Sequence, residues 1–464
     1  MSLDRRDFIK TAAAGLAATT LGSLDPVAPI AFADCPDPNN PNDPNAITDP
    51  DREMGKAYGG WKEGEFDIHF IHTGATENCF MICPDGTTIL LDAGEQDLTH
   101  FGQVKWNPTK SDEAACKPMP DNSRRPSEWV TRYISRLLPD LETIDYVIAS
   151  HFHTDHIGHP NIGPKTTDRD PNYTISGIAR VGETYRFGTA FDRGYPDYAR
   201  PTEHKSGEWA NLVNFFEYKE KTAGLKREKF EVGALDQIKL TRAPDKYDFH
   251  VRNLVANGVV WGGEGKENVD YFELYPKNKE TNNNENTRSM GERFQYGAFR
   301  FYTGGDISGA ILDENGKDVE IEGAVGRACG PVDVVKTNHH ASNGAMFKSF
   351  VNEVQARVYV TCCWWKGHVN AVPCETMSDE TATGYPGPRL MCPTDVHPMN
   401  LDWLKDKPWR GKLCERGGHV VVKAYDGGAR YKVYYLTAKD ESMNVELVFG
   451  PFESKNGQKA QLSV

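Results

Sequence analysis

Short runs of alternating apolar and polar residues fill two halves of this 464-residue chain, with a long irregular region between them. Residues 66–72 (Phe-Asp-Ile-His-Phe-Ile-His), 79–83 and 87–92 each read as a strand, and Pro84, Asp85 and Gly86 supply turn chemistry between the last two. A helix is predicted from Pro126, where Ser127 and Glu128 open an amphipathic run through Leu138 and Pro139 stops it. Residues 144–150 form an apolar stretch with the pattern of a buried strand. Strand, helix, strand thus leads directly into a histidine-rich segment.

Residues 160–283 are rich in Gly, Asn, Pro, Tyr and charge, with only patchy strand signals, so a loop-rich insertion that shapes a pocket is expected there. Alternation returns at 294–302, which runs into Thr303, Gly304, Gly305 and Asp306, and at 332–338, which runs into His339 and His340. Further strands are expected at 357–361, 419–424 and 431–436. The expected organisation is one domain over residues 61–440 with its insertion at 160–283, then a C-terminal tail over 441–464. No internal repeat of fixed period is visible.

The N-terminus reads as an address. Asp4, Arg5, Arg6, Asp7, Phe8, Ile9 and Lys10 resemble the twin-arginine export signal, a mildly apolar stretch follows over 11–24, and Ala31, Phe32 and Ala33 fit an A-x-A cleavage site. Residues 1–33 are therefore expected to be a signal peptide, with the twin-arginine machinery as a partner and a periplasmic or extracellular destination. The resembled pathway carries folded proteins, so a metal can be loaded before export. Residues 34–60, rich in Pro, Asn and Asp, are expected to form a flexible leader. No later segment has the roughly eighteen consecutive apolar residues of a membrane span.

Composition narrows the class. With 38% apolar and 11% aromatic residues the chain can build a large core. Its formal charge of −13 argues against a surface built for non-specific DNA binding, although a bound metal pair would supply local positive charge whatever the net balance. Ten cysteines are too few for a disulfide-dense scaffold, and there is no Cys-x-x-Cys pair. Cys362, Cys363, Cys374, Cys392 and Cys414 are candidates for pairing after export.

The chemistry concentrates in residues 150–159, Ser-His-Phe-His-Thr-Asp-His-Ile-Gly-His, which hold four of the fourteen histidines. Imidazole is the commonest ligand for zinc and related ions, and a neighbouring carboxylate suits a dinuclear or hydrolytic site. His151 and His153, two apart on extended backbone, can grip one ion, while Asp155 and His156 face a second position. Trp364, Trp365, Trp403 and Trp409 are expected in the core or pocket wall.

The His151-x-His153-x-Asp155-His156 run resembles the signature of the metallo-β-lactamase superfamily and is closest in likeness to the metallohydrolase domain of competence-type DNA-uptake proteins. Matching segments follow in order: residues 70–74, the turn at 84–86, 89–94, the histidine run, Asn286-x-x-Ser289, 301–306 and 333–342. The resemblance implies an α+β fold, a four-layer αββα sandwich, with two divalent ions, Zn or Mn, at one edge. It implies that His151 and His153 hold the first ion and Asp155 and His156 the second, with Asp306 bridging. The His339–His340 pair would give another ligand to the second ion, with His339 favoured because it comes first after its strand. Asp92 would fix imidazole orientation from behind. Asn286, Ser289 and His159 are candidate substrate-binding residues. The family's usual further histidine has no clear counterpart, and His204 and His250 are candidates by order alone.

Such a pair of ions lowers the pKa of a bound water and polarises the oxygen under attack. The expected function is an exported metal-dependent hydrolase, with Asp155 also catalytic, acting on a small-molecule or other phosphoester. A lactone, lactam or other carboxylic ester is the alternative substrate, nucleic acid stays open, and a non-catalytic binding protein on the same scaffold is the competing class. There is no Gly-x-Ser-x-Gly elbow for a serine nucleophile.

Overall fold

The computed structural model describes residues 52–96, 115–199, 206–275, 284–308, 310–312, 318–379 and 389–454. The expected signal peptide, His204 and most of the expected leader lie outside them. The first strands are β1 (Phe66–Phe70), β2 (Asn78–Ile82), β3 (Thr88–Ala93), β4 (Thr143–Ala149), β5 (Arg186–Asp192) and β6 (Lys226–Lys229). They are followed by β7 (Phe249–Ala256), β8 (Val259–Val260), β9 (Val269–Asp270), β10 (Gly291–Tyr296) and β11 (Phe299–Thr303). After a separate pair, β12 (Ala310–Leu312) and β13 (Asp318–Glu320), come β14 (Val334–Lys336), β15 (Val358–Thr361) and β16 (Leu390–Pro393). The last three are β17 (His419–Tyr425), β18 (Arg430–Leu436) and β19 (Val445–Glu453).

These strands make an α+β architecture with two mixed sheets. One has nine strands in the order β19-β18-β17-β1-β2-β3-β4-β5-β6, the other eight in the order β16-β15-β14-β11-β10-β7-β8-β9. In the first, β3 to β6 run parallel; in the second, β11, β14, β15 and β16 do. Period-2 alternation sends Phe66, Phe70, Met81 and Leu91 of the first sheet into one buried cluster with Phe294, Phe301, Val334 and Val360 of the second. Each such side chain is worth about 1.5–3 kcal/mol when fully buried. The helices Pro126–Leu137, Ile178–Thr184 and Gly207–Ala223 cover the other face of the first sheet. Ile321–Cys329, Lys348–Val354 and Ala371–Ser378 cover that of the second.

The helix expected from Pro126 spans Pro126–Leu137, and the Glu128 carboxylate accepts from the backbone N–H of Arg125 at 3.0 Å to close its first turn. The stretch 294–302 is not one strand. It breaks at Gly297 (φ +52) into the β10–β11 hairpin, and a Cβ there would lie 2.0 Å from the Gly427 carbonyl oxygen.

The structure adds detail at three boundaries. Residues 160–283 are rich in loops but also carry strands, since β5 and β6 extend the first sheet and β7 to β9 extend the second. β6, β8 and β9 are short and β5 carries Gly and Thr, which weakens an alternation signal. The helix Gly207–Ala223 in this region is capped by the Ser206 side chain and ended by Gly224 in left-handed conformation. Residues 441–464 are not simply a tail, since β19 pairs with β18. The end of the leader is also tied down: the Gly55 N–H donates to the Val445 carbonyl at 2.8 Å, and Ala57 bridges Asn444.

Among the described residues Cys362, Cys363 and Cys374, three of the candidates for pairing, are buried free thiols. Cys362, Cys392 and Cys414 sit in the core between the sheets, whereas Cys363 and Cys374 sit beneath the helices of the second sheet. Trp364 and Trp409 are buried as expected, but Trp403 is 57% exposed. Among the described residues no helix is long and apolar enough to cross a membrane.

Candidate metal centre

The histidine run leaves the carboxyl end of β4, where parallel strands of an α/β layer open toward a crevice. His153 is the N-cap of a single helical turn, Thr154–Ile157, which carries Asp155 and His156. A buried ion pair holds this loop from behind. Glu285 Oε1 accepts the Phe152 N–H at 2.8 Å, and Arg193 grips the same carboxylate through Nε and Nη2 at 2.6 and 2.7 Å. Arg193 is therefore a brace for the loop.

Asp306 arrives from the end of β11 and is the hub. Its Oδ2 lies 3.2 Å from His156 Nε2, 3.3 Å from His340 Nε2 and 3.9 Å from His151 Nε2. Gly305 allows this approach: its φ is +53, and a Cβ would lie 2.9 Å from Ser289 Oγ and 3.0 Å from Ser150 Cβ. Ser289 Oγ in turn accepts the Asp306 N–H at 3.1 Å, so Ser289 positions the hub.

Asp92 lies at the end of β3 beside the histidine segment. Its Oδ1 accepts the Ser150 N–H at 2.8 Å, and its Oδ2 accepts Ser150 Oγ at 2.6 Å and lies 2.8 Å from His156 Nδ1. With the Nδ1 proton donated to Asp92, His156 Nε2 faces Asp306 and Asp155. His340 is oriented likewise by the Cys362 carbonyl, 2.8 Å from its Nδ1.

The preference for His339 over His340 is reversed. His340 is 1% exposed, with Nε2 3.3 Å from both Asp155 Oδ2 and Asp306 Oδ2. His339, its side chain 28% exposed, reaches Asp306 only at 4.0 Å, and Asn286 Nδ2 lies 3.1 Å from its Nε2. Three successive residues, His339, His340 and Ala341, have positive φ, so strand periodicity does not carry past β14 and the second ring turns inward.

Two groups of ligand atoms result. One atom from each of Glu77, His156, Asp306 and His340 lies within 4.8 Å of every other, and the same holds for His151, His153 and Asp306. This buried cluster could hold a metal ion. Asp155 joins it through Oδ2, which also accepts from Trp364 Nε1 at 3.1 Å.

Each residue of the first group also carries an unsatisfied atom. Glu77 Oε2, His156 Nε2, Asp306 Oδ1 and His340 Nε2 are all buried without a hydrogen-bond partner, a costly state that a coordinated cation would relieve. The electrostatics agree. Burial disfavours a charged His340, but Asp306 and Asp155 outweigh it and push the ring up to about 10. Burial alone would raise Asp155, yet His156 and His340 hold it well below the usual carboxylate range. The acids thus demand positive charge at their centre. Burial, with His156 nearby, keeps His151 well below its ordinary value, and burial brings His339 down to about 4, so both rings are neutral at pH 7, the form that ligates.

Glu77 and Lys336 escaped the sequence reading. Glu77 precedes β2 with no ligand-like spacing, and its backbone N–H donates to the Asp155 carbonyl at 3.0 Å. Lys336 ends β14, donates to the Gly305 carbonyl at 2.7 Å, and lies 3.9 Å from Asp306 Oδ1. His159 does not join the cluster: its Nδ1 accepts the Asn161 N–H at 3.1 Å, which caps the turn. His250 pairs with Asp248 at an exposed position, and His204 lies outside the described residues. No protein-family model matches the chain, and no curated protein matches it.

Proposed function

We propose that this chain is an exported metal-dependent hydrolase of the metallo-β-lactamase type, acting on a phosphoester. The observation that carries the reading is the convergence of four buried residues, Glu77, His156, Asp306 and His340, each with an unpartnered polar atom, beside His151 and His153. A pair of divalent ions at such a site supplies a nucleophilic hydroxide at neutral pH and stabilises charge on the oxygens of the ester. His151 and His153 would hold the first ion, Asp155, His156 and His340 the second, with Asp306 between them. Glu77 is an added candidate for the second position.

The protein's own groups have distinct tasks. Asp92 and the Cys362 carbonyl fix the two ring orientations, and Trp364 fixes the Asp155 carboxylate. Asp155, held ionised by His156 and His340, would orient the attacking water and guide its proton away. His153 and His339 are the more exposed members, so substrate enters on their side. Asn286, hydrogen-bonded to His339, has a buried Oδ1 without a partner and lines that entrance. The intact acids weigh against a scaffold that only binds.

Full-length protein loaded with Mn or Zn is expected to hydrolyse bis-p-nitrophenyl phosphate, and Asp155→Ala to abolish turnover with circular dichroism unchanged. Turnover retained in Asp155→Ala overturns the role given to that residue. Hydrolysis of a lactone or β-lactam in place of the phosphodiester reassigns the substrate.

A further inference from the structure

The outer face of the second sheet carries arginines on three neighbouring strands. Arg252 of β7 stands directly opposite Arg293 of β10, and Arg300 of β11 stands opposite Gln295, two residues along the same face. Like charges in direct cross-strand register are destabilising unless something neutralises them. Among the described residues Arg252 has such a partner, Glu264, while Arg293 and Arg300 form no ion pair with a carboxylate. Arg293 bonds the Cys329 carbonyl, and its Nε is buried without a partner. Arg300 is 7% exposed and donates to the neutral Gln295 Oε1 at 3.0 Å. Asp333, the acid beside it, accepts the Arg300 backbone N–H at 2.9 Å. Burial and the neighbouring Arg293 push Arg300 down to about 10.

These two guanidiniums line a cavity of about 750 Å³, together with Arg327, Lys266, Trp261 and Tyr271. We propose that this cavity is a binding site for a phosphate-bearing small molecule, with Arg293 and Arg300 at its floor holding the phosphate. Arg327, from the last turn of Ile321–Cys329, and Lys266 add charge at the rim. Trp261 and Tyr271 flank the organic part. Planar guanidiniums match the paired oxygens of phosphate better than they match a single-point acceptor. The site is separate from the metal cluster: neighbouring Phe294 and Phe301 point into the core between the sheets, and Glu292 has Asp92 and Lys336 as its charged neighbours.

The test uses the full chain in EDTA, so that metal-bound phosphate does not contribute, and titrates inorganic phosphate and adenosine monophosphate by calorimetry. Saturable binding of the monoester is expected. Arg300→Gln and, as a rim change that spares the core, Arg327→Gln should each weaken it, Arg300→Gln by about tenfold or more. No binding of either probe, or binding unchanged in both variants, overturns the proposal. Binding of inorganic phosphate with the monoester excluded would overturn the placement of an organic group against Trp261 and Tyr271.

Discussion

Lys336 Nζ lies 2.8 Å from Glu77 Oε1, and both side chains are 1% exposed. This pair joins the end of β14 to the loop before β2, so it connects the two sheets at the metal centre. Burial raises the Glu77 carboxyl, and Lys336 is the largest influence pulling it back. Breaking a buried pair by removing one partner costs about 3–5 kcal/mol, because the other charge is stranded. Lys336→Met should therefore lower stability by that order in urea denaturation. The double change Lys336→Met with Glu77→Gln should recover a large part of the loss, whereas purely additive losses would show that the pair is not coupled.

Asp92 fixes His156 without belonging to either group of ligand atoms. Asp92→Asn keeps the shape but weakens the acceptor at His156 Nδ1. Metal affinity should fall by about 10–100-fold while secondary structure by circular dichroism is unchanged. Affinity equal to that of the unaltered protein would remove Asp92 from its orienting role.

Glu292 gives a pH dependence through a group that is not itself a candidate ligand. Burial, with the nearby Asp92 charge, pushes its carboxyl from 4.5 up to about 8. Between those values the folded protein holds a proton that the unfolded chain has released, so stability falls as pH rises through that window and is level on either side. The slope is at most about 1.4 kcal/mol per pH unit. Glu292→Gln should flatten it and stabilise the protein at pH 8.5 more than at pH 5 in chemical denaturation. An equal effect at both pH values would contradict the shift.

The parts of this architecture set by local pattern were readable in sequence. Strands β1 to β4, the helix at Pro126 and the placement of His151, His153, Asp155, His156 and Asp306 on loops after strands follow from alternation, capping and turn residues. The role of Asp92 came from the family resemblance, not from the apolar run that it ends. What escaped depends on contacts across the sheets. Glu77 and Lys336 become neighbours only when β14 and the loop before β2 meet, and the exchange of His339 for His340 follows from a left-handed backbone at non-glycine residues. Strands β5, β6, β8 and β9 were obscured because short or Gly-containing strands take their identity from the sheet they extend.

The most direct test is metal stoichiometry measured together with turnover. Metal-free full-length protein titrated with Zn or Mn should take up about two ions per chain. His340→Ala should lose the second ion and hydrolysis, His339→Ala should retain two ions, and Asp306→Asn should weaken both sites. Absence of saturable binding, or binding and turnover unchanged in Asp306→Asn, would contradict the metal-centre account.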